Sequence, residues 1–202
     1  ITGGLGDIGL EVAQWLVEQG ARQLVLSGRR PPNPKAQKTI AEMEKVGVQV
    51  SVQLGDISEA QTVTQIMTHI AEHLSPLKGV IHAAGVLEDS PLQQMSWSQF
   101  EKVWRPKALG AWTLSQATED QSLDFFVCFS SIAALMGNVG QGNYAAANTF
   151  MDVLMQQRRH RGLPGLSIQW GPWAEIGMAA RLDSVLQKQM QQSGFQFVAP
   201  AD

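Results

Sequence analysis

The sequence predicts an α/β domain built on a doubly wound parallel sheet. Apolar segments with strand character alternate with amphipathic helical segments, an order typical of parallel strands connected by helices. A glycine-rich turn opens the sequence, and 202 residues suffice to bury one central sheet. We therefore expect a single domain over residues 1–202. Because the sequence begins with this turn already under way, we expect a truncated N-terminal strand and a fragment of a larger chain.

Hydrophobic periodicity assigns the strands and helices. After the truncated first strand, the predicted strands are QLVLSGRR, Val48–Gln53, Gly79–Ala83, Asp124–Ser131 and Leu166–Trp173. The predicted helices are one after the glycine turn, Lys35–Val46, one around Ile66–Leu74, Ser96–Thr118 with a bend at Pro106, and Gln141–Met155. The polar segment Ala174–Asp202 is expected to form a mobile lid, a short helix and a connection.

Composition and charge exclude several classes of protein. The formal net charge is −3 and the largest basic cluster is Arg158, Arg159 and Arg161, so no nucleic-acid partner is predicted. Apolar runs are far shorter than the ~20 residues that span a bilayer, so no membrane association is predicted. Cys128, the only cysteine, lies in a predicted strand and fits a buried thiol in a reducing compartment. We expect a cytoplasmic protein.

The opening segment ITGGLGDIG has the composition of a dinucleotide-binding turn. Its glycines allow a pyrophosphate to approach the N-terminus of the following helix, where free N–H groups and the helix dipole favour an anion. A glycine pattern alone is a weak signal, but a strand-like segment follows where the second strand is expected. The predicted cofactor-binding residues of this turn are Thr2, Gly3, Gly4, Leu5, Gly6, Ile8 and Gly9.

The second strand ends in Ser27, Gly28, Arg29 and Arg30. An acidic residue at this position would bind the ribose of NAD, whereas two guanidinium groups fit the additional 2′-phosphate of NADP. We therefore predict that Ser27, Arg29 and Arg30 bind NADPH. The alternative interpretation is a solvated basic turn.

Two further strand ends supply candidate cofactor contacts. Asp56 and Ile57 follow the third strand, where a carboxylate could accept the adenine amino group and an apolar side chain could cover the ring. The rival interpretation is a helix cap, because Ser58 and Gln61 have the spacing of a capping box, and both can hold together. The fourth strand ends in small residues that suit close approach of a ribose: Ala83, Ala84 and Gly85.

A serine, the only tyrosine and an asparagine are spaced for carbonyl reduction. Ser131 ends the fifth strand, and Tyr144 and Asn148 lie one turn apart on the predicted helix that follows. A phenol donates a proton to a developing alkoxide when a nearby cation favours its ionised form and a second hydroxyl shares the oxyanion. Lys107 is one of few cations that could reach the tyrosine. The alternatives are a tyrosine-capped core helix and a solvated surface lysine.

Residues 69–73, HIAEH, match the HxxEH pattern of one class of zinc peptidases. Ile66, Ile70 and Leu74 form the apolar side of an ordinary amphipathic helix, which leaves both histidines on its polar side without a third ligand. No metal site is predicted.

Taken in order, these motifs resemble the ketoreductase (KR) domain of modular type I polyketide synthases, within the short-chain dehydrogenase/reductase superfamily and its Rossmann-like fold. The resemblance covers nearly the whole length and rests on ITGGLGDIG, GRR, GDIS, HAAGVLED, RPKALGAW, FSSIAA, GQGNYAAAN and QWGPWAEIGM. The superfamily usually has a lysine four residues after the tyrosine, where this chain has Asn148. Synthase ketoreductases take the cation from an upstream KxxGA motif, which Lys107 begins here.

The resemblance implies a role for each site residue. Tyr144 would be the general acid, Ser131 would hold the carbonyl oxygen, and Lys107 and Asn148 would complete a catalytic tetrad. Pro172 would contact NADPH. The residues expected near the substrate are Leu87, Glu88, Asp89, Trp173 and Met178.

The implied reaction is NADPH-dependent reduction of a β-ketoacyl group, held on an acyl carrier protein, to the β-hydroxyacyl product. An N-terminal structural subdomain and other synthase domains would be further partners. Leu87-Glu88-Asp89 resembles the LDD fingerprint of B-type ketoreductases, and no tryptophan between Ser131 and Tyr144 signals the opposite class. Ala146 stands where the epimerising subclass tends to carry proline. A D-hydroxy product without epimerisation is expected.

Three alternatives remain open at this stage. A fatty-acid synthase ketoreductase also carries the GQxNY motif, although the WGPWAEIGM segment looks more like the polyketide version. A stand-alone short-chain reductase could act on a soluble ketone. A non-catalytic structural ketoreductase domain would usually lack the tyrosine, the lysine or the glycine turn, and this sequence retains all three.

Overall fold

The computed structural model of the chain describes residues 1–177 and 196–199. Within these residues, parallel strands alternate with helices in a doubly wound, Rossmann-like α/β arrangement, which confirms the predicted fold class. The strands are β1 (Gln23–Gly28), β2 (Gln49–Leu54), β3 (Gly79–His82), β4 (Phe125–Ser131) and β5 (Leu166–Trp170). The α-helices are α1 (Asp7–Glu18), α2 (Pro34–Lys45), α3 (Ala60–His73), α4 (Trp97–Trp104), α5 (Gly110–Ala117), α6 (Ala133–Met136) and α7 (Gly142–His160).

Thr2 joins two groups of strands into one sheet. β1 pairs with β2, and β4 pairs with both β3 and β5. Between the groups, Thr2 forms parallel bridges to Ser27 and to His82, which gives the order β2, β1, Thr2, β3, β4, β5. An apolar groove of about 350 Å³ separates β1 from β3 beside Ile1.

Helices cover the sheet through two main groups of buried apolar side chains. The first joins α1 and α2 to β1 and includes Leu10, Ala13, Leu24, Leu26, Ile40 and Met43. The second joins α3, α5 and α7 to β3 and β4 and includes Val63, Ile66, Val80, Leu114, Phe126 and Met151. Each fully buried large apolar side chain contributes about 1.5–3 kcal/mol to stability. Within the described part of the chain, no helix is both long and apolar enough for a membrane crossing.

The predicted helix Ser96–Thr118 is interrupted rather than simply bent. Ser96 caps α4 in a capping box with Gln99, and the α-helix ends at Trp104. Arg105–Leu109 then form a π-helical segment before α5 begins. Pro106 has no N–H group and cannot make the ordinary helical hydrogen bond, so the chain takes a wider turn at this point.

Other predicted boundaries shift by a few residues. The helix carrying Tyr144 runs on to His160, five residues beyond the predicted Met155, and α6 was not predicted. β5 ends at Trp170 because Pro172 cannot donate to a neighbouring strand. Most of the predicted lid, Ala174–Asp202, lies outside the described residues. Its described part includes a parallel bridge between Trp173 and Val198.

His82, the last residue of β3, is fully buried and both of its ring nitrogens are bonded. The Lys107 carbonyl oxygen can only accept, so we assign the proton to Nε2, which donates to it at 2.9 Å. Nδ1 then accepts from the Thr2 hydroxyl at 2.7 Å. Burial lowers the pKa of His82 from 6.5 to about 4, although the hydrogen bond to Lys107 opposes this change. The ring is therefore neutral at neutral pH.

Acidification below pH 6.5 is expected to destabilise the domain through His82. The unfolded chain takes up a proton near pH 6.5 and the folded state only near pH 4, so the free energy of unfolding falls across this window. For this group the loss between pH 7.5 and 5 is about 2 kcal/mol. Urea denaturation at both pH values measures it. His82→Gln should remove the part of this loss in unfolding free energy that comes from His82. An equally large loss in the variant would show that His82 does not cause it.

Candidate active site

A cleft of about 750 Å³ lies over the glycine turn, at the carboxyl ends of the strands. Its walls come from the turn after Thr2 and from the segments that follow β1, β2 and β3. The predicted cofactor residues that line it are Thr2, Gly3, Leu5, Gly6, Ile8, Gly9, Ser27, Arg29, Arg30, Asp56, Ile57, Ala83, Ala84 and Gly85. Leu87 also lines the cleft, whereas Gly4 and Pro172 do not belong to its lining.

Two glycines give the turn its shape. Gly3 has a φ of +69°, in the left-handed region that side chains disfavour. A Cβ atom on Gly9 would lie 2.3 Å from the Gly3 carbonyl oxygen, so α1 can approach the turn only with glycine there. Gly4 serves packing instead, because its Cβ would lie 2.8 Å from the Ile1 carbonyl oxygen. The open N-terminus of α1 and this glycine cradle fit a dinucleotide pyrophosphate.

Arg29 and Arg30 are exposed and line the cleft beyond the end of β1. The ion pairs found among the described residues involve neither guanidinium group. Partial burial would raise the pKa of Asp56, but hydrogen bonds from Ser58 and the charges of Arg105 and Arg29 outweigh it and hold that pKa below its usual value. The cleft therefore offers two cations for a phosphate, and Asp56 offers it an ionised carboxylate.

The predicted capping box at Ser58 and Gln61 is wrong. α3 begins at Ala60 with Glu59 as its N-cap, and no side chain caps it. Ser58 instead donates from its backbone N–H and its hydroxyl to Asp56 Oδ1, at 2.9 and 2.7 Å. These bonds fix the carboxyl group of Asp56 at the cleft wall.

Lys107 is a buried lysine, only 4% exposed, and the alternative of a solvated surface lysine is wrong. Its ammonium group donates to the Phe129 carbonyl oxygen at 3.1 Å and lies 5.0 Å from the centroid of the Tyr144 ring. Gly85, which lines the cleft, packs against this side chain, because a Cβ atom on it would lie 3.4 Å from Nζ. Lys107 and Tyr144 themselves do not belong to the lining of the cleft. The π-helical segment and α7 pack together through Ala108 and Ala147, which brings the cation and the phenol close.

Ser131 and Asn148 lie on the two elements that flank this pair. Ser131 ends β4, two residues beyond Phe129, and its Oγ accepts from the Ala133 N–H at 3.2 Å. Asn148 is fully buried one turn after Tyr144, and its Nδ2 donates to the Tyr144 carbonyl oxygen at 2.8 Å. Its Oδ1 is buried without a hydrogen-bond partner in the described structure. That oxygen can accept from a water molecule or a cation at the site.

The loop Leu87-Glu88-Asp89 is held by hydrogen bonds to the beginning of α7 and by an ion pair to α4. The Glu88 carboxylate pairs with Lys102 at 2.5 Å, and its carbonyl oxygen accepts from Asn143 Nδ2 at 2.8 Å. Gln141 Nε2 donates to Asp89 Oδ2 at 2.9 Å. The loop therefore holds a fixed position relative to the helix that carries Tyr144.

A family model described as "KR domain" matches residues 1–175. The chain belongs to the KR domain family. Ketoreductase domains of polyketide synthases are oxidoreductases that reduce a β-keto group, and the chain is an enzyme of this kind.

Curated relatives of this KR domain are polyketide synthases. The chain is 46% identical over 179 residues to a mycocerosic acid synthase-like polyketide synthase of Mycobacterium tuberculosis, covering 89% of this chain and 8% of the relative. It is 42% identical over 207 residues to the spectinabilin polyketide synthase system protein NorB of Streptomyces orinoci, covering 100% of this chain and 9% of the relative. The KR domain therefore spans less than a tenth of these synthases.

Solved ketoreductase structures superimpose closely. A structure described as A-type ketoreductases from modular polyketide synthase has a TM-score of 0.92 at 39% identity, over 99% of this chain and 42% of that one. A ketoreductase domain from the bacillaene assembly line has a TM-score of 0.93 at 30% identity, over 99% and 49%. This similarity extends over the whole fold, whereas Leu87-Glu88-Asp89, which resembles the B-type fingerprint, is three residues long.

The remaining predicted substrate residues lie near the end of β5. Trp173 is half-buried, and its ring lies 4.9 Å from that of Trp170, which in turn lies 5.3 Å from Phe129. Met178 lies outside the described residues. Pro172 is buried and its carbonyl oxygen accepts from Val198 N at 2.8 Å.

Sequence reasoning missed Gln141 and Asn143, which hold the loop after β3. Asn143 is fully buried, and besides Glu88 its side chain bonds the Gln99 carbonyl oxygen at 3.2 Å and the Tyr144 N–H at 2.8 Å. The available signal was the motif GQGNY, in which amide side chains stand one and three residues before the tyrosine.

The HxxEH histidines have structural partners. His69 Nε2 and Ser51 Oγ are 2.7 Å apart, and His73 Nδ1 bonds the His69 carbonyl oxygen at 3.1 Å. The two rings stack with centroids 4.7 Å apart. Among the described residues, no group of three or more His, Cys, Asp or Glu side chains could hold a metal ion.

Proposed function

We propose that this KR domain uses NADPH to reduce a β-ketoacyl group, carried as a thioester on an acyl carrier protein, to a D-β-hydroxyacyl group. One observation carries the proposal: the buried ammonium group of Lys107 lies 5.0 Å from the centroid of the Tyr144 ring, and the Lys107 side chain packs against Gly85, which lines the cleft. A phenol and a cation therefore lie together beside a cleft whose lining suits a dinucleotide.

The cleft residues fit NADPH. The Gly3–Gly9 cradle would receive the pyrophosphate at the N-terminus of α1, and Arg29 and Arg30 would bind the 2′-phosphate. The Asp56 carboxylate would accept the adenine amino group. When bound, NADPH supplies the hydride that adds to the carbonyl carbon of the substrate.

The chain's own residues complete the reduction. Tyr144 donates its phenolic proton to the carbonyl oxygen, so that the C=O group becomes CH–OH. The Ser131 hydroxyl donates a hydrogen bond to the same oxygen as negative charge develops on it. The Lys107 ammonium stabilises the phenolate that remains, and Asn148 holds the Tyr144 backbone and offers its free Oδ1 to a bridging water.

The substrate carrier and the other partners follow from the relatives. Polyketide synthases are multidomain proteins, and a domain that spans less than a tenth of such a chain would receive its substrate from a carrier domain. An N-terminal structural subdomain and neighbouring synthase domains would be its further partners, in the cytoplasm.

The D configuration rests on the loop Leu87-Glu88-Asp89. Tyr144 and the cofactor cleft fix the directions of proton and hydride, so only the path of substrate entry can select the face attacked. Leu87 lines the cleft, and Gln141 and Asn143 hold the loop against the start of α7. A loop fixed in this way can guide the pantetheine arm in from one side.

We expect a preference for NADPH over NADH. Each charge-assisted contact to the 2′-phosphate is worth about 1.5–3 kcal/mol, so Arg29→Ala or Arg30→Ala should weaken NADPH binding about tenfold or more. NADH affinity should barely change. Titration of cofactor fluorescence measures both, with the surface variant Arg22→Ala as control. Equal efficiency of the native enzyme with NADH, in reduction of a simple β-keto thioester, would overturn the assignment.

Tyr144→Phe should abolish turnover and leave NADPH affinity nearly intact, because the donated proton matters only in the transition state. Lys107→Ala should act in the same way, and both variants should lose about 10²–10⁴-fold in kcat. Lys102→Ala tests the alternative source of the cation, because that lysine is exposed and pairs with Glu88. Lys38→Ala is the control, because that lysine lies on α2 with a side chain that is 80% exposed. Steady-state kinetics and cofactor titration distinguish the outcomes. A Lys102→Ala enzyme that loses its rate while Lys107→Ala keeps it would show that the cation was misassigned.

Chiral chromatography of the product tests the proposal that the domain forms the D-hydroxy product and that the loop Leu87-Glu88-Asp89 selects it. With a carrier-bound β-ketoacyl substrate the native enzyme should give the D-hydroxy product, and replacing Leu87, Glu88 and Asp89 with alanine should erode that preference. An L-hydroxy product from the native enzyme would show that the fingerprint was misread. A preserved D preference in the triple variant would show that the loop does not steer.

A further inference from the structure

We propose that His82 is a positioning residue for ketoreduction: its imidazole ring holds the Lys107 backbone so that the ammonium group meets the Tyr144 ring. The inference rests on the proposed function and adds a residue that acts only through Lys107.

The imidazole ring lies between the two parts of the site. Nε2 donates to the Lys107 carbonyl oxygen at 2.9 Å, and Nδ1 accepts from the Thr2 hydroxyl at 2.7 Å. Thr2 lies in the sheet between β1 and β3 and precedes the glycine turn. A single buried ring therefore connects the backbone of the cation to the strand position that begins the cofactor turn.

The position of the ammonium group follows the position of the Lys107 backbone. The side chain crosses from the π-helical segment to β4, where Nζ bonds the Phe129 carbonyl oxygen at 3.1 Å. Because Lys107 is only 4% exposed, packing leaves this side chain little freedom to compensate for a backbone shift. A movement of the π-helical segment would carry the cation away from Tyr144.

The end of β3 and the π-helical segment pack so closely that two glycines beside them have little room for a side chain. A Cβ atom on Gly110 would lie 3.1 Å from His82 Cε1 and 2.8 Å from Ile57 Cγ2. A Cβ atom on Gly85 would lie 3.3 Å from Lys107 Cδ. Because both positions are glycine, the π-helical segment can pack against the end of β3. At this distance the imidazole ring of His82 reaches the Lys107 carbonyl oxygen.

A neutral ring suits this position. The neutral imidazole has one donor for the Lys107 carbonyl oxygen and one acceptor for the Thr2 hydroxyl. An imidazolium would instead place a second positive charge beside the Lys107 ammonium group. Burial keeps the pKa of His82 at about 4, so the ring is neutral over the pH range in which the enzyme is expected to work.

Two substitutions separate positioning from packing. In His82→Gln the amide nitrogen can take the place of Nε2 and keep the bond to the Lys107 carbonyl, whereas the shorter amide of His82→Asn keeps only the contact to Thr2. A misplacement of about 1 Å can cost about a hundredfold in rate. His82→Asn should therefore lower kcat about a hundredfold with KM and NADPH affinity within about twofold, and His82→Gln should recover most of the rate.

Gly110→Ala provides an independent test. The added Cβ atom at the start of α5 would clash with Ile57 Cγ2 and His82 Cε1 without removing a hydrogen-bonding group. We expect this clash to push the adjoining π-helical segment away from His82 and to lower kcat in the same selective way. This variant decides the matter if His82→Asn does not fold, as judged by thermal melting. All variants are assayed with NADPH and a β-keto thioester in the enzyme with its native flanking sequence.

The outcomes distinguish the two proposals. A native enzyme that reduces no β-keto thioester would overturn the proposed function itself. If the native enzyme is active, three results would overturn only the role of His82. The first is an equal loss of kcat in His82→Asn and His82→Gln, and the second is a loss of kcat that merely follows the folded fraction of each variant. The third is full kcat in Gly110→Ala.

Discussion

The burial of the Lys107 ammonium group beside Tyr144 is the constraint on which the rest of the site depends. A desolvated lysine is costly unless its charge has partners, and here the Phe129 carbonyl and the face of the Tyr144 ring provide them. The cation comes from the π-helical segment rather than from the helix that carries the tyrosine. In the proposed mechanism, these two separate elements must therefore pack at a fixed distance before the phenol can act as an acid.

The sheet provides that fixed distance. β4 supplies Phe129 and Ser131, and β3 ends in His82 below the π-helical segment. Small residues at Ala108 and Ala147 let this segment pack against α7. The cleft proposed for the cofactor and the loop proposed to guide the substrate lie at the carboxyl ends of the same strands, so one scaffold would set the geometry of hydride transfer, proton transfer and substrate entry.

Local signals in the sequence predicted most of the fold. Glycine spacing and strand periodicity depend on neighbouring residues, and these predictions needed only small changes in boundary. The interval between Ser131 and Tyr144 pointed to the candidate site, and the catalytic roles of these residues stay a prediction. The π-helical segment was missed because Pro106 indicates an interruption without specifying its geometry. The bonds of Asn143 to Glu88 and of His82 to Lys107 join distant segments, and no periodicity in the sequence reports such contacts.

The most direct test of the central claim is chemical rescue of Lys107→Ala. Removing this buried side chain leaves a space beside Gly85 at the edge of the cleft, which a small ammonium ion can enter. The account predicts that ethylammonium raises the variant's rate of β-keto thioester reduction in a saturable way, while ethanol, a neutral molecule of similar size, does not. Equal effects of the two molecules, or no response to ethylammonium, would contradict the claim that positive charge at this position drives the reaction.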